Sequence, residues 1–260
     1  MRIQTYDIAS RLQPYIRSIC TMDCDDAVDT NYIQVLPDTC VELFVNYTST
    51  PVAIIGHELH KRSIVTARMS RSMEVQMRKG AGCLAICFYP GMAYPFFRLP
   101  MQVLSDTTVT LSNLWSGTVM EMEDKLANAS DNNVRVVIAQ KYLLQQLALG
   151  EQDLQLTYWL RLMQRSGGSI SATDIANDTG LSRRHLSRKF QQYMGLSPKT
   201  YLGVCRFMRS LHSLKKYPAL SLTQVAYESG YYDQAHFNRD YKMYTGHTPG
   251  EVLRAQYIVY

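Results

Sequence analysis

Two short stretches of this 260-residue chain gather side chains suited to reading the edges of base pairs. One holds Arg183, Arg184, Ser187 and Arg188; the other holds Gln234, Ala235, Asn238, Arg239 and Lys242. A guanidinium can donate two parallel hydrogen bonds to guanine, and the carboxamide of Asn or Gln can pair likewise with adenine. A small apolar side chain such as Ala235 can meet the thymine methyl. Basic groups left over would neutralise phosphates, which positions a protein on a duplex without specifying sequence. On a wheel of 100° per residue, Arg184, Ser187, Arg188 and Gln191 share a side opposite Leu186, Phe190 and Tyr193. In the other stretch Ala235, Asn238, Arg239 and Lys242 lie opposite Phe237, Tyr241 and Tyr244, with Gln234 towards the flank. A single basic helix face is ordinarily a solvated face; these two are set apart by repeating.

The elements that must hold them repeat as well. Ile175-Ala176 is followed by Gly180 and Ser182, and Val225-Ala226 by Gly230 and Asp233. Glycine supplies the left-handed turn that ends one helix, and Ser or Asp caps the next. Each copy closes alike, through Gly195-Leu196-Ser197-Pro198 and Gly246-His247-Thr248-Pro249, where Pro suits a first helical turn. This is a helix-turn-helix read twice at a period of about 50 residues. With Tyr201 to Phe207 opening a long connecting helix, the arrangement resembles the AraC/XylS family of transcription regulators over residues 165–255.

The resemblance implies double-stranded DNA as partner, RNA polymerase as a second partner if the protein activates, and two recognition helices entering successive major grooves about 34 Å apart. Leu202, Arg206 and Arg209 fall on adjoining turns of the connecting helix, and Arg206 joins the expected DNA-contact set. The chain departs from the family at Val252-Leu253, where an aromatic followed by Arg is usual; Arg254 is the candidate substitute.

Charge divides the chain. Residues 165–260 carry 13 Lys and Arg against 6 Asp and Glu, whereas residues 1–164 carry 14 against 16. A basic region joined to a mildly acidic one fits a nucleic-acid module attached to a different activity. There is no long apolar run, signal peptide or lipidation motif, so a cytoplasmic protein without a membrane partner is expected. The expected division is a β-rich sensor over 1–112, a helical linker or dimerisation region over 113–164, and the double helix-turn-helix over 165–260. Arg165-Ser166-Gly167-Gly168-Ser169 forms the joint.

In the first region, 39–46, 51–55, 72–77 and 83–89 read as short strands without a strand–helix–strand rhythm, which points to a barrel or sandwich. The stretch Ile86 to Gly91 through Leu111 to Trp115 resembles the barrel-to-helix passage of regulators with a cupin-like sensor. The expected fold class is therefore α+β, with an N-terminal cupin-like β-barrel, covering helices, and an all-α C-terminal domain. Val41, Leu43, Val45, Leu84, Ile86 and Phe88 are expected to face the barrel interior. Glu42, Tyr89 and Tyr94 are candidate contacts to a small, largely apolar effector. An interior filled by its own side chains, with the region serving homodimerisation, is the alternative.

Two helical patterns follow. Residues 133–149 place Val134, Val137, Ile138, Lys141, Leu144 and Ala148 on one face, with Tyr142 and Leu147 adding hydrophobic bulk; residues 154–163 repeat Leu156, Trp159, Leu160 and Met163. They either cover the barrel or, for the first, make a dimer contact.

Enzymatic readings are weaker. Cys20, Cys24, Cys83 and Cys87 could form a zinc tetrad if brought together, as in DNA-repair methyltransferases that carry an AraC-like helical unit. A cupin-type metalloenzyme is the other alternative. However, Cys83 and Cys87 sit in an apolar strand, where Cys is a small buried hydrophobe, and His57-Glu58-Leu59-His60 reads as a turn rather than a metal motif. No metal, cofactor or catalytic residue is expected.

Overall fold

The computed structural model describes residues 1–25, 29–30, 32–67, 70–147 and 153–254. Ten strands form the first part: β1 (Arg2–Tyr6), β2 (Ile16–Asp23), β3 (Ile33–Val35), β4 (Val41–Asn46), β5 (Ala53–Ile55), β6 (Glu58–His60), β7 (Ile64–Ala67), β8 (Met73–Gln76), β9 (Gly82–Phe88) and β10 (Thr108–Thr110). They make a six-stranded sheet in the order β1-β2-β9-β4-β7-β10 and a four-stranded sheet in the order β3-β8-β5-β6, antiparallel throughout. The α+β class holds, but the sheets do not close. Among the described residues β1 and β10 end one sheet and β3 and β6 the other, so the N-terminal region is two facing sheets rather than a barrel.

Strand periodicity explains a second correction. Val41, Leu43 and Val45 of β4 and Leu84, Ile86 and Phe88 of β9 do share one face, but it turns towards the helices and joins the main core with Phe96, Trp115 and Met122. The opposite face, with Glu42 and Phe44, is the one that meets the small sheet. Of His57-Glu58-Leu59-His60, expected as a turn, only His57 lies in the turn, and Glu58 to His60 form β6. Gly56, at φ 59, and His57 link β5 to β6, with Ile55 opposite Glu58.

Helices α1 (Tyr94–Phe97), α2 (Val119–Ala127), α3 (Asn132–Gln146) and α4 (Leu154–Arg165) cover the large sheet. The buried side of α4 is Leu156, Trp159, Leu160 and Met163, as the spacing predicts. For α3 the expected face is displaced: Val136, Ala139, Tyr142 and Leu143 are buried, while Val134, Val137 and Lys141 stand exposed. Tyr142 and Leu143 contribute more apolar area than the valines, and they rotate the helix to suit. Ala148 lies outside the described residues.

The remainder is helical: α5 (Ala172–Thr179), α6 (Arg183–Met194), α7 (Pro198–Lys216), α8 (Leu222–Glu228), α9 (Gln234–Thr245) and α10 (Pro249–Arg254). One core runs from the large sheet through Phe96, Trp115 and Trp159 to Phe190 and Tyr201. A second gathers Phe207, Leu211, Val225, Phe237, Tyr241 and Tyr244.

Candidate nucleic-acid interface

Both helix-turn-helix units form as their turn chemistry requires. The Ser171 hydroxyl accepts from Asp174 N, and the Asp174 carboxylate accepts from Ser171 N, closing a capping box at the start of α5. Gly180, at φ 67, ends that helix, and Ser182 caps α6 by accepting from His185 N at 3.2 Å. In the second unit Ser221 and Gln224 make the box on α8, Gly230 turns at φ 86, and Asp233 caps α9 by accepting from His236 N at 2.6 Å. Left-handed Gly195 and Gly246 end α6 and α9.

Burying Leu186, Phe190 and Met194 leaves Arg183, Arg184 and Arg188 exposed on the outer side of α6, with Ser187 half-buried between them. Tyr193 is half-buried and packs on the Tyr94 ring at 4.5 Å. Arg188 Nη2 lies 3.3 Å from His185 Nδ1 one turn earlier. On α9, burying Phe237, Tyr241 and Tyr244 exposes Gln234, Ala235, Arg239 and Lys242, with Asn238 half-buried. The Gln234 carboxamide oxygen accepts from Thr223 Oγ1 at 2.8 Å, which orients its amide nitrogen.

Arg206 is placed differently from the rest of the expected DNA-contact set. It turns inwards: Nη1 donates to the Gly168 carbonyl at 3.0 Å, and the guanidinium sits 5.9 Å from the Tyr231 ring. Gly168, at φ 75, has no room for a side chain because a Cβ would fall 2.2 Å from the Leu202 carbonyl. Arg206 thus pins the interdomain joint to α7. Beside it, burial pushes the Tyr231 hydroxyl up and raises Asp240 above its usual value, with His236 and Arg206 opposing. The side chain of Arg254 lies outside the described residues.

Tyr232, 86% exposed in the turn just before α9, is a surface group that the helical-wheel reading passes over. It precedes the helix and so falls outside the periodic pattern; an aromatic next to a capping residue was the available signal.

The three candidate effector contacts do not converge. Glu42 lines an apolar cavity of about 50 Å³ between the sheets, walled by Phe44, Val75 and the methionines Met22, Met73 and Met77. Tyr89 lies on the rim of a cleft of about 710 Å³ between the sheet domain and α7. Tyr94 accepts from Gln192 Nε2 of α6 at 3.1 Å. Cys24 and Cys83 belong to a cluster between the sheets, and the group that does assemble ligating atoms among the described residues is Asp38, Cys40 and Cys87. No helix among the described residues is long and apolar enough to cross a membrane.

Comparison with known proteins places these features. Residues 175–255 match a family model described as a helix-turn-helix domain, and residues 4–110 match a domain of unknown function, DUF6597. Residues of this chain are 29% identical over 102 positions to the HTH-type transcriptional activator RhaS of Enterobacter sp. (strain 638), covering 39% of this chain and 36% of that protein. The RhaS of Escherichia fergusonii is 32% identical over 88 residues, 34% and 31% of the two chains. The match therefore spans about a third of those relatives' length. A crystal structure of ToxT from Vibrio cholerae superposes with TM-score 0.46 at 13% identity, over 98% of both chains.

Proposed function

We propose, for a chain whose residues 175–255 belong to the AraC/XylS family of helix-turn-helix regulators, that it is a sequence-specific DNA-binding transcription regulator. The observation that carries the reading is the exposure, at matching positions of the repeat, of Arg183, Arg184 and Arg188 on one helix and Gln234, Ala235 and Arg239 on the other. Ser187, Asn238 and Lys242 complete the base- and phosphate-contacting set. Arg206 acts one step back, by fixing the joint on which both helices are mounted.

Within this reading, residues 1–112 form the sensing region, 113–164 the helical link and 165–260 the reader. The cytoplasm is the compartment, and RNA polymerase is the partner if the protein activates. No catalytic step is assigned. A small apolar effector would enter between the sheets beside Glu42. The present cavity holds more than one water but falls well short of the ~300 Å³ of a typical ligand site. Its methionine-rich wall can repack to enlarge it. Val137, 67% exposed, and Val134 on the outer side of α3 offer the contact for a second copy.

A hydroxyl-radical footprint of the full-length protein on selected DNA tests the proposal. Protection should repeat on one face of the duplex about one helical turn, or ~34 Å, apart. Protection of a single groove would reduce the second unit to a structural role, and binding with no sequence preference at matched salt would remove the regulator reading.

A further inference from the structure

We propose that Asp38, Cys40 and Cys87 form a binding site for one thiophilic divalent cation of the Zn²⁺ type. The three side chains come from the turn preceding β4 and from β9, whose register sets Glu42 opposite Cys87. Cys40, two residues before Glu42, therefore projects from the same face as Cys87. The two sulfurs and a carboxylate oxygen all lie within 4.8 Å of one another. Cys40 is 1%, Cys87 6% and Asp38 8% exposed, so the donors are already withdrawn from water.

The turn is shaped to bring them together. Thr39 takes a left-handed conformation, φ 65, which a β-branched residue rarely adopts. It lets Asp38 Oδ1 accept from Cys40 N at 3.0 Å, so carboxylate and thiol point to one spot. A tetrahedral zinc ion with Zn–S bonds of about 2.3 Å spaces its donors about 3.7 Å apart, so side-chain rotations of about 1 Å complete the geometry.

Charge favours the ion. Two thiolates, one carboxylate, a divalent cation and the Arg17 guanidinium sum to neutrality, as a buried assembly requires. Arg17 Nη1 lies 3.3 Å from Cys40 Sγ and Nη2 3.4 Å from Asp38 Oδ2, where it supports the ligands from outside. On binding, both thiols release their protons to solvent. Access is open, because Arg17, Asp38 and Thr39 line the 710 Å³ cleft whose other wall is the joint and α7. That cleft leaves a fourth coordination position for water or a small ligand.

The test is to strip the full-length protein with a chelator, titrate it with Co²⁺ and displace the Co²⁺ with Zn²⁺. The expected result is one equivalent per chain with a thiolate-to-cobalt charge-transfer band, unaffected in Cys20→Ser and Cys205→Ser. The band should vanish in Cys40→Ser and in Cys87→Ser, and Asp38→Asn should weaken binding by at least about tenfold. Absence of the band in the wild-type protein overturns the site whatever the variants do. So does a band that survives in the Cys40→Ser/Cys87→Ser double variant, or Cys40–Cys87 disulfide formation in a protein that binds no metal.

Discussion

The two helix-turn-helix units share their caps and turns but not their cores. In the first, Leu186, Phe190 and Met194 join a cluster that runs through Met101, Phe96 and Trp159 back to the large sheet. In the second, Phe237, Tyr241 and Tyr244 pack on Phe207, Leu211 and Val225, and the N-terminal region adds Leu36. Polar contacts follow the same division. Lys189 pairs with Asp153, Gln192 with Tyr94, and Ser105 Oγ donates to the Gly195 carbonyl. The second unit is tied to the sheets at its helix end, where the Tyr244 and Thr245 carbonyls accept from Ser72 N and Gln34 Nε2. A change in the sheet domain can therefore reach α6 through interlocked side chains, and α9 mainly through backbone contacts at one end. In the proposed regulator, α6 is the element whose docking an effector would alter.

The largest test of this contrast is truncation of one core aromatic in each unit. Phe190→Ala and Phe237→Ala should each cost about 3–5 kcal/mol, because both side chains are fully buried. They should differ in reach. By hydrogen exchange, Phe190→Ala should loosen α4 and the turn at Met101–Val103 as well as α6, whereas Phe237→Ala should loosen α8 and α9 and leave the sheet domain protected. Equal spread in both variants would merge the two cores.

A smaller difference is expected at the helix ends. Gly195 and Gly246 hold almost the same conformation, φ 75 and 78. A Cβ on Gly246 meets nothing within 4 Å, while one on Gly195 would fall 2.7 Å from the Met101 carbonyl oxygen and 2.2 Å from Ser105 Oγ. Gly246→Ala should cost about 1–2 kcal/mol, the penalty of a left-handed Ala. Gly195→Ala should add about 1–3 kcal/mol as overpacking against the sheet domain. Denaturant titration reads both, and equal losses would mean that α6 is free of that contact.

How much of this was legible in the sequence follows from what the patterns encode. Caps, turns and buried stripes of the two units are local, and Ser182, Asp233, Gly180 and Gly230 announced them because each has one conformational task. The sheets were harder. β2 and β7 carry no turn signature that isolates them, and β1 is an exposed edge strand with no apolar alternation. The apolar face of β4 and β9 was visible, but its direction depends on which partner layer buries it, and the helices do. Arg206 resembled a DNA contact because its type and spacing fit; only the tertiary position of Gly168 shows where its guanidinium goes. Cys87 stood out only beside Cys20, Cys24 and Cys83; the β4–β9 pairing and the turn at Thr39 bring it instead to Asp38 and Cys40, which no sequence spacing shows.

The next contrast lies in the reading faces. Arg188 and Arg239 occupy matching positions, and each good base contact is worth about 1–3 kcal/mol. Arg188→Ala and Arg239→Ala should each weaken specific binding about tenfold or more at matched salt with unchanged folding. The footprint should lose only the groove served by the altered helix. Loss of both grooves from either change would show that the units bind as one body, and wild-type affinity in Arg188→Ala would remove it from the contact set.

The smallest expected effect comes from one position of the repeat that carries opposite charges. Lys189 lies 2.6 Å from Asp153 and 5.7 Å from the Trp159 ring, whereas its counterpart Asp240 reaches His236 only at 3.8 Å and keeps a buried oxygen, Oδ2, without a hydrogen-bond partner. Lys189→Gln should lose about 0.2–1 kcal/mol, as for other partly exposed ion pairs. Asp240 should behave in the reverse sense. Burial is the largest influence on it and raises its pKa, so the fold disfavours the ionised carboxylate. Its ordinary value is 3.8; below that pH the group is protonated in both folded and unfolded chains and costs nothing. As pH rises through the elevated folded value, the unfolded chain ionises more readily and stability falls. Asp240→Asn should therefore melt higher than the wild-type protein at pH 7, and the gain should shrink to nothing as the pH is lowered towards 3.8. A variant that melts lower than wild type at pH 7 would show that His236 and Arg206 hold the carboxylate in place. The second unit would then be braced by charge as the first is by Lys189.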